Sequence, residues 1–169
     1  MNKTLFLIVG LVFGLQVSAQ RFGIVDSEMI LNKIPEYGQA QQQLNQLSTN
    51  WQGEVEALYS ELDALKQAYN AEKVLLTEEM QKEKLNEIAD KEKEAKELQR
   101  KYFGPEGDVF KKRQELIRPI QDQIYSAVQD VARRRKLDVV FDKSSALITL
   151  YNNGKSDISD EVLEKMGYN

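Results

Sequence analysis

From Glu36 onward the chain sets apolar residues at helical spacing. Leu44, Leu47, Trp51, Val55, Leu58, Leu62, Leu65 and Tyr69 follow one another in steps of three or four. The mean step lies near the coiled-coil period of about 3.5, with one irregular step at Trp51–Val55. Gln, Glu, Asp, Ser and Ala fill the positions between. A stripe this narrow does not stabilise an isolated helix in water and predicts a partner helix. The partner lies downstream. Leu85, Ile88, Ala95, Leu98 and Tyr102 form a second stripe, and Phe110, Ile117, Ile120, Ile124, Val128 and Val131 a third. Glu78–Lys82, Glu87–Lys91, Glu92–Lys96 and Glu97–Lys101 stand four apart, acid first, each favouring an exposed helix by about 0.2–0.5 kcal/mol.

Two segments compete for the turn of this hairpin. Phe103-Gly104-Pro105-Glu106-Gly107-Asp108 is the stronger local breaker. A turn there leaves the outgoing helix much longer than the returning one, with apolar residues in water. A turn near Ala71–Thr77 balances the arms better. Thr77 then serves as N-cap, with Glu78 and Glu79 in the first turn, where the helix dipole favours acids. On that layout the Gly-Pro segment is a break in the return arm, either a hinge or a simple defect. Pro119 falls inside the last helical pattern and predicts a kink or an N-terminal turn.

The two ends of the chain differ from the middle. Arg21 to Asp26 reads as a short strand, with Phe22 and Ile24 on one face and Val25 on the other. Asp26 or Ser27 caps a short helix that Pro35 ends. After the basic run Arg133-Arg134-Arg135-Lys136, which suits a helix C-terminus, Leu137 to Asp142 and Ala146 to Tyr151 read as strands. Asn152 to Lys155 reads as a turn. Ser159 is expected to cap a last helix through Val162, Leu163 and Met166, stopped at Gly167. The predicted fold class is α+β: a small β body formed from both chain ends, residues 20–35 and 137–169, with a long α-helical coiled-coil hairpin, residues 36–136, inserted between them.

Before this lies Met1-Asn2-Lys3, an apolar run from Leu5 to Leu15, and Val17-Ser18-Ala19. Charge, short apolar core and small-x-small site make residues 1–19 a signal peptide cleaved after Ala19. The run is short of the roughly 20 residues a membrane span needs. Export follows as an expectation. With no cysteine in the chain, disulfides play no part in the fold. Loss of Lys3 makes the exported chain more acidic than the net −4 of the whole. Acidity argues against nucleic acid and anionic surfaces as partners.

Little catalytic chemistry is available. Without histidine or cysteine there is no Ser-His-Asp triad, thiol nucleophile or ordinary zinc site. No P-loop or dinucleotide fingerprint occurs. Glu79, Glu83 and Glu87 share a helix face, but carboxylate metal centres in bundles add histidines, and interleaved lysines mark a solvated face. Ser144-Ser145 beside Lys143 sits in a connection between strands. No enzyme, cofactor or metal is expected. Surface is what remains. Trp51, Tyr59, Tyr69, Leu76, Met80, Tyr102 and Phe103 are the candidate exposed apolar points of the hairpin, each with a place in the helix seam as its alternative.

Ile24-Val25-Asp26-Ser27, the short helix closing at Pro35-Glu36-Tyr37, the charged coiled coil, Leu137-Asp138-Val139-Val140-Phe141-Asp142 and Asp157-Ile158-Ser159-Asp160-Glu161-Val162-Leu163 together resemble the Skp/OmpH family of periplasmic chaperones. The likeness spans essentially the whole chain after the leader, and its ends are more specific than its arm. It implies a homotrimer whose strands join in a central body, with hairpins that hold unfolded outer-membrane proteins without ATP. On that resemblance Phe22, Ile24, Val139, Phe141, Ile148 and Leu150 pack the body or the subunit contacts. One departure stands out, since the best-known members are basic. Residues 36–65 carry Glu36, Glu54, Glu56, Glu61 and Asp63 and no lysine or arginine, while residues 66–101 hold nine charges of each sign. Lipopolysaccharide binding is therefore not expected. The competing reading is a structural coiled-coil envelope scaffold or spacer with one defined protein partner.

Overall fold

The computed structural model describes residues 20–145 and 154–168. Its elements are β1 (Phe22–Val25), α1 (Ser27–Lys33), α2 (Pro35–Glu72), α3 (Glu78–Phe103), α4 (Asp108–Arg135), β2 (Val139–Asp142) and α5 (Ser159–Met166). The chain divides into two compact units. One holds the residues up to Ile30 and from Ile124 onward, the other Leu31–Gln123. The division runs through α1 and α4, so each of these helices contributes to both. The expected leader, residues 1–19, and the expected strand from Ala146 to Tyr151 lie outside the described residues.

The Leu31–Gln123 unit is helical. Pro35 closes α1 and also opens α2, where it sits in the first turn and its missing N–H is no loss. Helix α2 ends at Glu72 and α3 starts at Glu78, which puts the hairpin turn at Lys73–Thr77 and not at Gly104–Gly107. Thr77 accepts the Met80 N–H at 3.3 Å, and Glu78 and Glu79 occupy the first turn. The heptad stripe faces inward: Leu44, Val55 and Leu62 are buried, and Leu47, Trp51, Leu58, Leu65 and Tyr69 half-buried. From α3 only Ala95 and Tyr102 are buried. Ile34, Ala40, and Ile117 and Ile120 of α4 complete the buried apolar set of this unit.

At Gly104–Gly107 the helix stops and restarts. The Gly104 N–H still donates to Arg100 O at 2.9 Å, and Gly107 N–H to Gly104 O at 2.9 Å. A Cβ on Gly107 would stand 2.7 Å from the Tyr102 carbonyl oxygen and 2.8 Å from that of Lys101. Main chain crowds this corner, so the break is a tight, glycine-dependent joint. Helix α4 then runs through Pro119 without ending. Proline there supplies no N–H to the carbonyl one turn back, a local loss that the helix tolerates.

The other unit is built on two parallel strands. Phe22 pairs with Val139, Gly23 with Val140, Ile24 with Phe141 and Val25 with Asp142. The segment before α5 flanks β1 on its other side: Ile24 N–H donates to Ser156 O at 2.7 Å and Ile158 N–H to Ile24 O at 2.8 Å. The core gathers Ile24, Val25, Ile30, Ile124, Ala127, Val131, Ile158, Val162 and Leu163. Both Ile24 and Val25 are buried, so β1 is covered on both faces at its C-terminal end. Ser159 does not cap α5 as expected. It is 2% exposed, its hydroxyl accepts the Asp26 N–H at 2.9 Å, and its own N–H and O–H donate to Asp157 at 3.0 and 2.6 Å. Its burial commits the hydroxyl to joining two segments. Gly167 does stop the helix, at φ 88°, with Tyr168 N–H reaching back to Leu163 O at 2.9 Å.

Candidate functional site

Most of the hairpin's predicted apolar points are divided between seam and surface. Tyr102 takes the seam position that the second stripe offered it and not the exposed alternative. It is 8% exposed, its ring stacks on Trp51 with centroids 5.1 Å apart, and its hydroxyl donates to Glu54 at 2.5 Å. The hydrogen bond to the Glu54 carboxylate, then partial burial, raises the Tyr102 hydroxyl above its ordinary pKa. Phe103 meets the Tyr102 ring edge-on and remains partly open to solvent. Trp51, Tyr59, Tyr69 and Leu76 are half-buried, and Tyr59 spans the hairpin to Gln99 at 3.0 Å. Met80 is exposed.

The most exposed apolar side chains of this unit lie around the turn. Val74 is 82% and Leu75 84% exposed, and Met80 and Leu85 follow at about half. Sequence reading did not single out Val74 or Leu75, and it set Leu85 in the second seam stripe, whereas Leu85 stands about half exposed. The signal was present: two large aliphatic residues inside a predicted turn have no strand or helix face to fill. Phe110 on α4 is likewise open.

Charges in the same region pair both along and across the helices. Lys96 and Glu92 form the expected pair, at 2.5 Å. Lys91 instead crosses to Glu61 at 3.2 Å and reaches Glu94 at 3.0 Å, while Glu87 pairs with Lys84 at 2.9 Å. Lys66 meets Glu92 across the seam at 3.7 Å. The Lys96 hydrogen bond, then the Lys96 and Lys66 charges, hold the Glu92 carboxyl below its usual range.

The β1–β2 unit presents a second surface. Phe22, Val139 and Phe141 stay 54%, 49% and 43% exposed, whereas Ile24 is enclosed in the core. Tyr125 on α4 is also open. Ile148 and Leu150 lie outside the described residues. The same unit holds a polar lattice. Lys143 lies 3.4 Å from Asp26 and 3.3 Å from Asp157. Asp142 accepts the Ser27 hydroxyl at 2.5 Å and the Ser144 hydroxyl at 2.8 Å. Partial burial pushes the Asp142 and Asp157 carboxyls upward. Hydrogen bonds from Ser27 and Ser144 to the first, and from Ser159 and Lys143 to the second, outweigh it and leave both below the ordinary carboxylate range. Lys143 is thereby engaged with carboxylates and Ser144 with Asp142, an arrangement that fastens strands. The basic run is similarly engaged: Arg134 and Arg135 both pair with Glu161, Arg133 with Asp130, and Lys165 of α5 with Asp130 at 3.2 Å.

Residues 21–166 match the model of the family described as outer membrane protein (OmpH-like). The chain belongs to the OmpH-like family. An uncharacterised protein of Aquifex aeolicus (strain VF5) is 27% identical over 164 residues, 97% of this chain and 96% of the relative. The crystal structure of a Caulobacter crescentus CB15 protein, proposed in its description to be an OmpH-like outer membrane chaperone, shares the fold with a TM-score of 0.65 at 15% identity. That likeness covers 87% of this chain and 83% of the Caulobacter chain. The OmpH-like fold thus accounts for both the long helical hairpin and the small sheet drawn from the two chain ends. Among the described residues no cluster of carboxylates is arranged to hold a metal ion, and no helix is long and apolar enough to cross a membrane.

Proposed function

We propose that this OmpH-like protein is an ATP-independent holding chaperone of the periplasm, delivered there by cleavage after Ala19, that binds unfolded outer-membrane proteins and prevents their aggregation. The observation that carries the reading is the concentration of exposed aliphatic side chains, Val74, Leu75, Met80 and Leu85, around a turn of otherwise highly polar helices. Scattered apolar residues on a soluble surface are ordinary; a group confined to one hairpin end calls for a partner. Unfolded barrel strands offer alternating apolar faces and suit many weak contacts. Family membership supports the same reading. No catalytic step is assigned to it, and no nucleotide, metal or nucleic acid takes part.

In this reading Met80, Leu76 and Phe103 are client contacts from the start, Trp51, Tyr59 and Tyr69 contribute their solvent-facing edges, and Tyr102 acts indirectly by fixing Trp51. The β1–β2 unit is the oligomerisation body of a homotrimer. Phe22, Val139 and Phe141 meet neighbouring subunits, Ile24 supports them from within, and Ile148 and Leu150 are assigned to the same body. Covering an apolar strand face with a second copy removes an aggregation hazard. Because the chain is acidic, lipopolysaccharide is not among its ligands.

The test is a urea-diluted outer-membrane barrel protein, followed by light scattering with and without the purified mature chain and with no nucleotide. Suppression of scattering at modest excess is expected. Unchanged aggregation at a large excess rejects the proposal. Saturable binding to one folded envelope protein, without protection of unrelated barrels, would point to a scaffold instead.

A further inference from the structure

The α2–α3 hairpin is packed unevenly along its length. On the side away from the turn, Leu44, Val55, Leu62, Ala95 and Tyr102 are buried, and the Trp51–Tyr102 stack and the Tyr59–Gln99 bond span the helices. Passing round the turn from Leu62 to Ala95, no residue is buried. Leu65, Tyr69, Leu76 and Ile88 are only half-covered there. Two cross-hairpin ion pairs, Lys91–Glu61 and Lys66–Glu92, stand at the inner edge of this stretch, with side chains substantially open to water. Water-exposed pairs of that kind contribute little to stability, whereas each fully buried aliphatic residue contributes substantially. The outer stretch therefore opens at far lower cost than the inner one.

We infer that the outer seam, residues 63–94, is itself a binding groove that parts to take an apolar segment of a non-native polypeptide between α2 and α3. This deepens the holding-chaperone reading and rests on it. Leu65, Tyr69 and Ile88 are the seam contacts that parting releases, continuous with the surface group Val74, Leu75, Met80 and Leu85. Charge selects the occupant. Residues 63–94 carry nine acids and six bases, so the stretch offers no attraction to an anionic bilayer or to an acidic folded protein. An uncharged apolar segment loses nothing by this. Its apolar points are strung at helical intervals along both helices and do not form one flat patch. An irregular chain can follow such a row; a planar bilayer cannot.

The chain has no cysteine, which makes the test clean. Lys66→Cys/Glu92→Cys is prepared in two forms, one bridged across the seam by a flexible bis-maleimide and one alkylated at both thiols. Both lose the ion pair; only the first is held shut. Expected is a several-fold higher concentration of bridged than of alkylated protein for half-suppression of barrel-protein scattering. Amides of residues 63–94 should also exchange more slowly in wild type once client is added. Equal suppression by the two forms overturns the inference while leaving the chaperone reading intact. So does slowing in 63–94 that follows protein concentration without client, which marks a second copy, or slowing caused equally by phosphatidylcholine vesicles, which marks lipid. Failure of wild type and alkylated protein alike to suppress scattering overturns the chaperone reading and this inference together.

Discussion

At the scale of single residues, two groups carry most of the information. Trp51 is the sole tryptophan and lies against Tyr102, so its emission reports directly on the inner seam. Tyr102→Phe keeps the stack and removes the bond to Glu54, and should lower stability by clearly less than loss of the whole side chain. Tyr102→Ala also empties the site, at about 3–5 kcal/mol, the range for large aromatic truncations. Urea unfolding followed by Trp51 fluorescence checks both. A Phe variant as unstable as the Ala variant would mean that the hydroxyl, not the ring, holds the seam. The second group is the Asp142–Asp157–Lys143 lattice. Both carboxyls lie below their ordinary range in the folded protein. The unfolded chain therefore binds protons first as pH drops, and the stability these groups provide, complete above the ordinary carboxylate pKa of about 4, is lost as pH falls through the depressed folded values. Lys143 works at the opposite extreme. Its pKa is lowered by partial burial but raised more by Asp157 and Asp26, so its contribution fades only at strongly alkaline pH. The urea midpoint of the β1–β2 unit should fall between neutral pH and about pH 3. Asp142→Asn should flatten that fall; an unchanged slope would remove Asp142 from the account.

At the scale of elements, periodicity was the most legible feature. The stripe from Leu44 to Tyr69 predicted α2 and its inward face. Thr77 followed by two acids marked the start of α3, and Gly167 marked the end of α5. What sequence could not rank was how well each stretch of seam is packed. Leu65 and Leu62 look alike as heptad residues, yet only Leu62 finds enough facing bulk to be buried, because Ala95 and Tyr102 close the inner seam and Ile88 and Leu85 leave the outer one open. Tyr102 was left between seam and surface for a related reason: the stripe placed its ring, and only the structure brings Glu54 to its hydroxyl. Ser159 read as a cap because serine before an acidic turn usually is one; a tertiary partner, Asp26, claimed its hydroxyl. The Gly104–Gly107 break was visible, but its character was not. Main-chain oxygens around Gly107 leave no room for a side chain, so Gly107→Ala should destabilise the protein by about 1–3 kcal/mol, the usual cost of overpacking. A thermal melt unchanged by that substitution would show that the joint yields and acts as a hinge.

At the scale of the whole chain, charge distinguishes this protein from a basic holding chaperone and makes the last prediction. Residues 36–65 are wholly acidic among their charged positions and residues 66–101 are balanced. An acidic client segment gains no attraction from such a surface, so apolar contact at the turn and along the outer seam must provide the affinity. Salt screens exposed charges over about 8–10 Å at physiological strength. For a basic chaperone with acidic clients, raising salt removes attraction and weakens holding. Here there is little attraction to remove. The repulsion between acidic client and acidic inner hairpin is screened, and apolar burial persists. Half-suppression of barrel-protein scattering should therefore occur at the same or lower chaperone concentration when salt is raised from low to physiological levels and beyond. The ion pairs Lys66–Glu92 and Lys91–Glu61 act in the same direction, because weakening them eases parting of the outer seam. A steep loss of holding with added salt would require an attractive charge pattern that residues 36–101 do not carry, and would overturn the account of affinity by apolar contact.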